Sequence, residues 1–376
     1  MATFDFLVVG SGIAGASAAA SLSAKASVAL IEREAAHGYH TTGRSAALYA
    51  ASYGNAPIRA ITRASRAFFD NPPEGFAAQP ILSARGCLYI ARLDQLDGLE
   101  HIRAESLASG VPIERIGEAE ARAHCPVLRP GYVTAAGYEP TSMDIDVDAL
   151  HQGFLRQVRV NGGAIRLEAE VAGLEQPGGG GWTVRLADGE TLSARVVIDA
   201  AGAWADQVAA LAGAKPVGLQ PLRRTVVLLD EPPGVVSRGW PAVIDADEQF
   251  YFKPEAGKIL ASPADETPSE PTDAFSDEMD VAICIDRVQQ AADIPVRRVG
   301  RSWAGLRTFA PDRTPVIGYD PVVKGFFWLA GQGGYGVQTA PAAGRLAAAL
   351  AMGEPLPEDV GALGLRAETL SPGRFG

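Results

Sequence analysis

The first 35 residues carry a pattern that leaves few folds open. Residues 4–9, FDFLVV, are aromatic and β-branched and run directly into GSGIAG, with Gly10, Gly12 and Gly15, after which alanine and serine dominate through Leu22. A short apolar run ended by glycine reads as a buried parallel strand, and small residues behind the turn let a helix lie close on the sheet. A second apolar run, SVALIEREA, carries Glu32, 22 positions after Gly10. Gly10 permits the tight turn, Gly12 lets backbone approach a pyrophosphate, and Gly15 lets helix and strand close up. Amides and dipole at the helix N-terminus then stabilise the diphosphate. Glu32 ends the second strand, where its carboxylate can accept hydrogen bonds from ribose hydroxyls and repel a 2′-phosphate, which argues against NADP. Together these features predict a Rossmann-type α/β dinucleotide site, without separating NAD from FAD.

The 376 residues suit two intertwined domains, and 47% apolar residues can fill their cores. A net charge of -11 lacks the basic footprint of nucleic-acid binding, so no nucleic-acid partner is expected. An anionic substrate would need local arginines. Cys87, Cys125 and Cys284 show neither pairing nor metal-ligand spacing, which suits a reducing cytoplasm and predicts no metal. The uncharged stretch 6–24 is interrupted by glycines and serines and has no basic segment before it. It is therefore expected to be strand, turn and helix rather than a signal peptide or a transmembrane segment. His37, His40, His101, His124 and His151 read as scattered, and no His, Cys or Ser arrangement suits nucleophilic catalysis.

Three further segments bear on the cofactor. GYHTTGRSAALY, residues 38–49, is a polar, glycine-punctuated loop expected to run into a helix start. An NAD enzyme has no need of it, whereas in a flavoenzyme Thr42, Arg44 and Ser45 could contact phosphate, ribityl or ring atoms. Residues 194–213 repeat strand, tight AAGAW turn and helix, bringing Gly202 close to a cofactor. Residues 325–350, GFFWLAGQGGYGVQTAPAAGRLAAAL, do so again. That helix N-terminus could stabilise the negative charge of a reduced flavin. Three such turns favour one extended cofactor, FAD.

VVGSGIAGAS, GYHTTGRSAA, FFDNPP, DALHQGFLRQ, AAGAWAD, LQPLRR, FYFKPEAG, WAGLRTFAPD and AGQGGYGVQT are the residues of a family likeness. Over essentially its full length the chain resembles the D-amino acid oxidase superfamily of FAD-dependent amine oxidoreductases, and most closely its bacterial D-arginine dehydrogenase-type D-amino acid dehydrogenases. The resemblance implies a Rossmann-type FAD-binding domain from 1–80, 140–216 and 300–376, and a substrate-binding domain on a mixed sheet from 81–139 and 217–299. It implies cofactor contacts from Ile13, Ala14, Arg33, Ala46, Val171, Ala201, Trp204, Gly333, Gly334, Tyr335, Gly336, Val337, Gln338 and Thr339 besides those above. Strands are read at 86–92, 225–230, 249–254 and 258–262, and helices at 94–108 and 115–124. The Gly178–Gly181 run reads as a flexible hairpin, and the acidic, proline-rich stretch 263–280 as a loop with no catalytic part.

Oxidation of an amino acid to an imino acid needs the carboxylate anchored, and a guanidinium fork matches it bidentately. By resemblance Arg307 is that anchor, Tyr251 adds a hydroxyl, Tyr53 lies on a mobile loop over the site, and Arg224 is a second cation that its neighbour Arg223 makes ambiguous. The pocket is completed by Leu48, Ala50, Cys87, Ala242, Ile244, Gly305 and Gln338. Relatives that prefer cationic D-amino acids look to have a carboxylate where this chain has Cys87 and an imidazole where it has Leu48. The expected substrate is therefore a neutral or hydrophobic D-amino acid, oxidised by hydride transfer without a dedicated base and released as an imino acid that hydrolyses to a 2-oxo acid and ammonia. Another small amine, an opine or a 2-hydroxy acid remains open as substrate, and so does an FAD-binding electron-transfer subunit. The electron acceptor, a quinone, another acceptor or dioxygen, leaves no motif.

Overall fold

The computed structural model describes residues 3–178 and 180–376. Strand β1 (Thr3–Val9) lies between two parallel neighbours, β2 (Val28–Ile31) and Thr191–Asp199, with Leu7 and Val8 fully buried. Phe326–Ala330 adds a further parallel strand beside Thr191–Asp199. In a parallel arrangement all carboxyl ends fall on one edge of the sheet. The three glycine-rich turns, after residues 9, 199 and 330, therefore converge there although they are far apart in sequence. Helix α1 (Ile13–Ser23) and the helix Gly336–Ala351 both start at that edge and pack on each other. Gly344 allows the contact, since a Cβ there would sit 2.7 Å from the backbone of Ser17.

Val171–Glu175 and Trp182–Leu186 form an antiparallel hairpin on this eight-stranded sheet. Of the connecting 178–181 run, Gly179 lies outside the described residues. The second sheet has nine strands and is mixed: Cys87–Ala91 runs parallel to Ala242–Asp245, while Gln220–Asp230, Tyr251–Glu255 and Lys258–Ser262 pair antiparallel. Leu96–Ala108 and Glu118–His124 are the two helices read from the sequence.

Three differences have physical causes. Arg301–Phe309 pairs along its whole length with Gln220–Asp230, so residues 301–309 belong to the second sheet rather than to the 300–376 segment of the FAD unit. Residues 38–49 do not start a helix: after a short 3-10 turn at Thr42–Arg44, Leu48–Tyr49 pairs with Met143 and Asp144, a partner invisible to local patterning. The 263–280 stretch includes a two-residue strand, Thr267–Pro268, against Leu222 and Arg223. Among the described residues no helix is long and apolar enough to cross a membrane.

Candidate active site

A single cavity follows the converged turns from β2 to the second sheet, lined at one end by Gly10, Gly12, Ile13, Ala14, Glu32 and Arg33. Gly10 has φ +100°, and a Cβ on it would lie 2.5 Å from the carbonyl oxygen of Ala200. Gly15 is off the wall; it presses on the Gly10 carbonyl from behind and closes the turn. One carboxylate oxygen of Glu32 accepts the amide and hydroxyl of Ser11 at 2.8 and 3.0 Å, and the other accepts the Glu34 amide at 3.1 Å. The acid is thereby fixed at the wall. Thr42 accepts the Ile13 amide at 3.0 Å, so it occupies the first donor of α1 itself. Ser45, Ala46, Val171, Ala201, Gly202, Trp204, Gly333, Gly334, Gly336 and Val337 continue the wall.

Two expected cofactor contacts, Arg33 and Arg44, line the wall but also hold protein partners. Arg33 stacks 4.1 Å over the Trp204 ring and bonds Glu34. Arg44 pairs with Asp273 and donates to the carbonyls of Ala274 and Ala304, so the loop dismissed in the sequence ties the turn at 42–44 to the second sheet. The histidines are not all scattered either. His37 and His151 both bond Ser11 at 2.8 Å, through its hydroxyl and its carbonyl, and His40 bonds Glu34 at 2.9 Å while packing against Trp204. Burial lowers the pKa of both His37 and His151. No spacing in the sequence signals that convergence.

At the other end the register between Gln220–Asp230 and Arg301–Phe309 sets Leu222 opposite Arg307 and Arg224 opposite Gly305. Strand alternation then puts Arg224 and Arg307 on one face, and both line the cavity. Arg223 points the other way and pairs with Asp280 at 2.7 Å, which removes the ambiguity between the two. Arg224 is already partnered, by the carbonyl of Asp265 at 2.8 Å and by Glu266 at 3.4 Å, and Glu266 is also held by Arg313 at 2.8 Å. Arg307 is different. Its Nη1 donates to the Tyr53 hydroxyl at 3.3 Å, and among the described residues no carboxylate lies within ion-pair distance of it. Its guanidinium rests on Gly334, where a Cβ would sit 2.8 Å from Cζ. Tyr251, Tyr53, Leu48, Ala50, Ala242, Ile244 and Gly305 share the wall.

Three further expected contacts, Cys87, Tyr335 and Thr339, lie off the wall, and Gln338 is on it but already partnered. Cys87 is fully buried and not on the wall, its short side chain enclosed by protein. Gln338 reaches the cavity but spends both ends on protein, accepting the Ala50 amide and donating to Thr62, each at 3.1 Å. Tyr335 packs edge-on against Tyr53, and the Thr339 hydroxyl turns back to the Tyr335 carbonyl at 2.8 Å. Conversely, Lys253 is a wall residue that the sequence reading missed. It is 4% exposed, with its ammonium between Asp144 at 2.8 Å and Glu255 at 2.9 Å. The signal was available, since Tyr251 and Lys253 are two apart on one strand and share a face.

A sheet whose parallel centre gathers the glycine turns at one edge, joined by one cavity to a mixed sheet bearing a half-buried arginine, defines a two-domain flavoprotein. Residues 5–350 match the family described as DAO, FAD dependent oxidoreductase, and the chain belongs to that family; its cofactor is FAD. The hydrogen cyanide synthase subunit HcnC of Pseudomonas aeruginosa is 25% identical over 216 residues, covering 56% of this chain and 49% of that protein. The chain thus spans about half the length of that relative. Two solved structures share the fold at a TM-score of 0.84: glycine oxidase from Geobacillus kaustophilus, 23% identical over 94% of this chain and 96% of that one, and dithionite-reduced L-alpha-glycerophosphate oxidase from Mycoplasma pneumoniae with FAD bound, 20% identical over 94% and 95%. The wall fits FAD, because the strained Gly10 turn leaves no room for a side chain, Glu32 is fixed at one end, and the Gly333–Val337 turn lies beside Arg307 at the other.

Proposed function

We propose that the protein oxidises a D-amino acid with a neutral or hydrophobic side chain at its α carbon. The observation that carries this reading is Arg307, a half-buried cation that faces the cavity with no carboxylate within ion-pair distance among the described residues. A charge partly withdrawn from water and left unpaired costs free energy, and a substrate carboxylate is the partner that would offset it. Arg307 would hold that carboxylate as a fork, with Tyr53 and Tyr251 adding hydroxyls, which orients the α hydrogen toward the cofactor. FAD, when bound at the glycine turns, supplies the acceptor for the hydride. The amine loses a proton to solvent so that its lone pair can form the C=N bond, and the imino acid takes up water to give a 2-oxo acid and ammonia. His37, His40 and His151 sit at the Glu32 end, which agrees with a reaction that needs no histidine base at the carboxylate end.

Leu48, Ala50, Ala242 and Ile244 support an apolar side-chain pocket. Cys87 lies off the wall and does not shape the side-chain pocket, whereas Lys253 and Arg224 on the wall disfavour a cationic side chain. Glu248, also on the wall, is solvent-exposed and offers such a cation little. The D hand rests on the motif resemblance, and the glycine oxidase relative supports a small amino acid as substrate. Three buried, unpaired cysteines suit the cytoplasm. A steady-state panel tests the reading. D-methionine, D-leucine and D-phenylalanine are expected to give kcat/KM well above D-arginine, and the reverse order overturns the side-chain assignment.

A further inference from the structure

Tyr53 stands in a turn at residues 51–55, outside regular secondary structure, yet among the described residues it supplies the one side-chain hydrogen bond of Arg307. Three contacts pin that turn. Gln338 accepts the Ala50 amide, Arg59 donates to the Gly54 carbonyl at 2.5 Å, and between them the Ser52 hydroxyl donates to Glu139 at 2.5 Å. Ser52 is also 3.1 Å from the hydroxyl of Tyr89, a wall residue that lies 3.4 Å from the same Glu139 oxygen. Glu139 is fully buried on the strand Ala135–Glu139, which pairs it with Cys87. Burial raises its pKa, and the hydroxyls around it act in the opposite direction. A carboxyl group in a sheet interior is costly unless hydrogen-bonded, and an apolar residue would fill that place without the cost.

We propose that Glu139 is a positioning residue for substrate binding, which through Ser52 holds Tyr53 at hydrogen-bond distance from Arg307. This rests on the reading that Arg307 and Tyr53 bind the substrate carboxylate. The coupling is short: Ser52 and Tyr53 are adjacent, so releasing the Ser52 hydroxyl frees the peptide that carries the tyrosine. Arg307 keeps its charge, but the clamp loses one of its fixed arms.

The test uses FAD-loaded enzyme and a non-oxidisable carboxylate, benzoate, titrated against the visible absorption of the flavin. Glu139→Leu, which removes the acceptor, and Ser52→Ala, which removes the hydroxyl, should each raise the benzoate Kd about tenfold, the scale of one hydrogen bond to a charged group. Neither should add a loss in a Tyr53→Phe background. Unchanged affinity, or an equal further loss in the Tyr53→Phe background, overturns the proposal. A second readout needs no ligand: with 3-fluorotyrosine at position 53, both substitutions should shift and broaden its fluorine resonance, and an unmoved resonance overturns the proposal. If Arg307→Ala binds benzoate as the unmutated enzyme does, the carboxylate-clamp reading fails, and the fluorine resonance still decides whether Glu139 positions Tyr53.

Discussion

Replacing Gly334 by alanine places a methyl group against the guanidinium of Arg307, 2.8 Å from Cζ and Nη1 and 3.0 Å from Nε. Gly334 is absent from the positive-φ glycines, so alanine adopts its backbone without strain. Ordinary contact begins at 3.4 Å, so the guanidinium must retreat by roughly 0.6 Å. It is the end of a flexible side chain, so the fold absorbs the move cheaply. The bond to Tyr53, already 3.3 Å, does not survive it, and the fork no longer meets a carboxylate squarely. Losing one to two hydrogen bonds to a charged group, at about 1.5 kcal/mol each, corresponds to about 10- to 150-fold in kcat/KM. FAD content and Tm should stay close to those of the unmutated enzyme. The assay is steady-state kinetics with the best D-amino acid, with flavin content measured on the same sample. An unchanged kcat/KM would refute the placement of Arg307 on the Gly334 turn as the substrate anchor.

Other substitutions probe the rest of the frame. Gly10→Ala sets a Cβ 2.5 Å from the Ala200 carbonyl at φ +100°, so backbone must move, and the purified variant should lose most of its flavin absorbance; full FAD content would contradict the turn geometry. Asp199 is fully buried, with one oxygen on the Ala201 amide at 3.1 Å and the other without a partner among the described residues, and burial raises its pKa well above 3.8. A carboxyl group with a raised folded-state pKa stabilises the fold fully only below about pH 3.8, and that contribution is lost as pH rises through the folded value. Asp199→Asn should therefore raise Tm at pH 7, by about 1–3 kcal/mol in stability, with the gap closing toward pH 4; equal Tm at pH 7 counts against it. Burial pushes the thiols of Cys87, Cys125 and Cys284 up to about 12, so iodoacetamide at pH 8 should leave native protein unmodified by mass spectrometry. Rapid labelling would show that one of these segments opens.

The dinucleotide unit was readable because its signals are local: strand, turn, helix and Glu32 lie within one short stretch. The partners of those residues were not. His37 and His151 meet at Ser11 only because α1 and the helix Val147–Val160 pack together. Arg223 and Arg224 could not be told apart until the register with Arg301–Phe309 fixed which side chain faces the cavity. That same register moved residues 301–309 into the second sheet. Cys87 failed as a pocket residue because a position along a strand does not say how far its side chain reaches. Lys253 was overlooked although its spacing from Tyr251 gave it the same face. Glu139 carried no motif, and its importance lies in contacts with a turn far away in the chain.

Anchoring of a D-amino acid by the half-buried Arg307 beside the FAD site is tested most directly by anaerobic bleaching of the bound flavin with D- and L-amino acid panels, followed by admission of air. Unmutated enzyme should bleach with neutral D-amino acids and not with their L forms, while Arg307→Ala, still yellow, should bleach at least 100-fold more slowly, roughly two charged hydrogen bonds. Bleaching of Arg307→Ala at the unmutated rate, or of neither protein by any amino acid, would contradict the account.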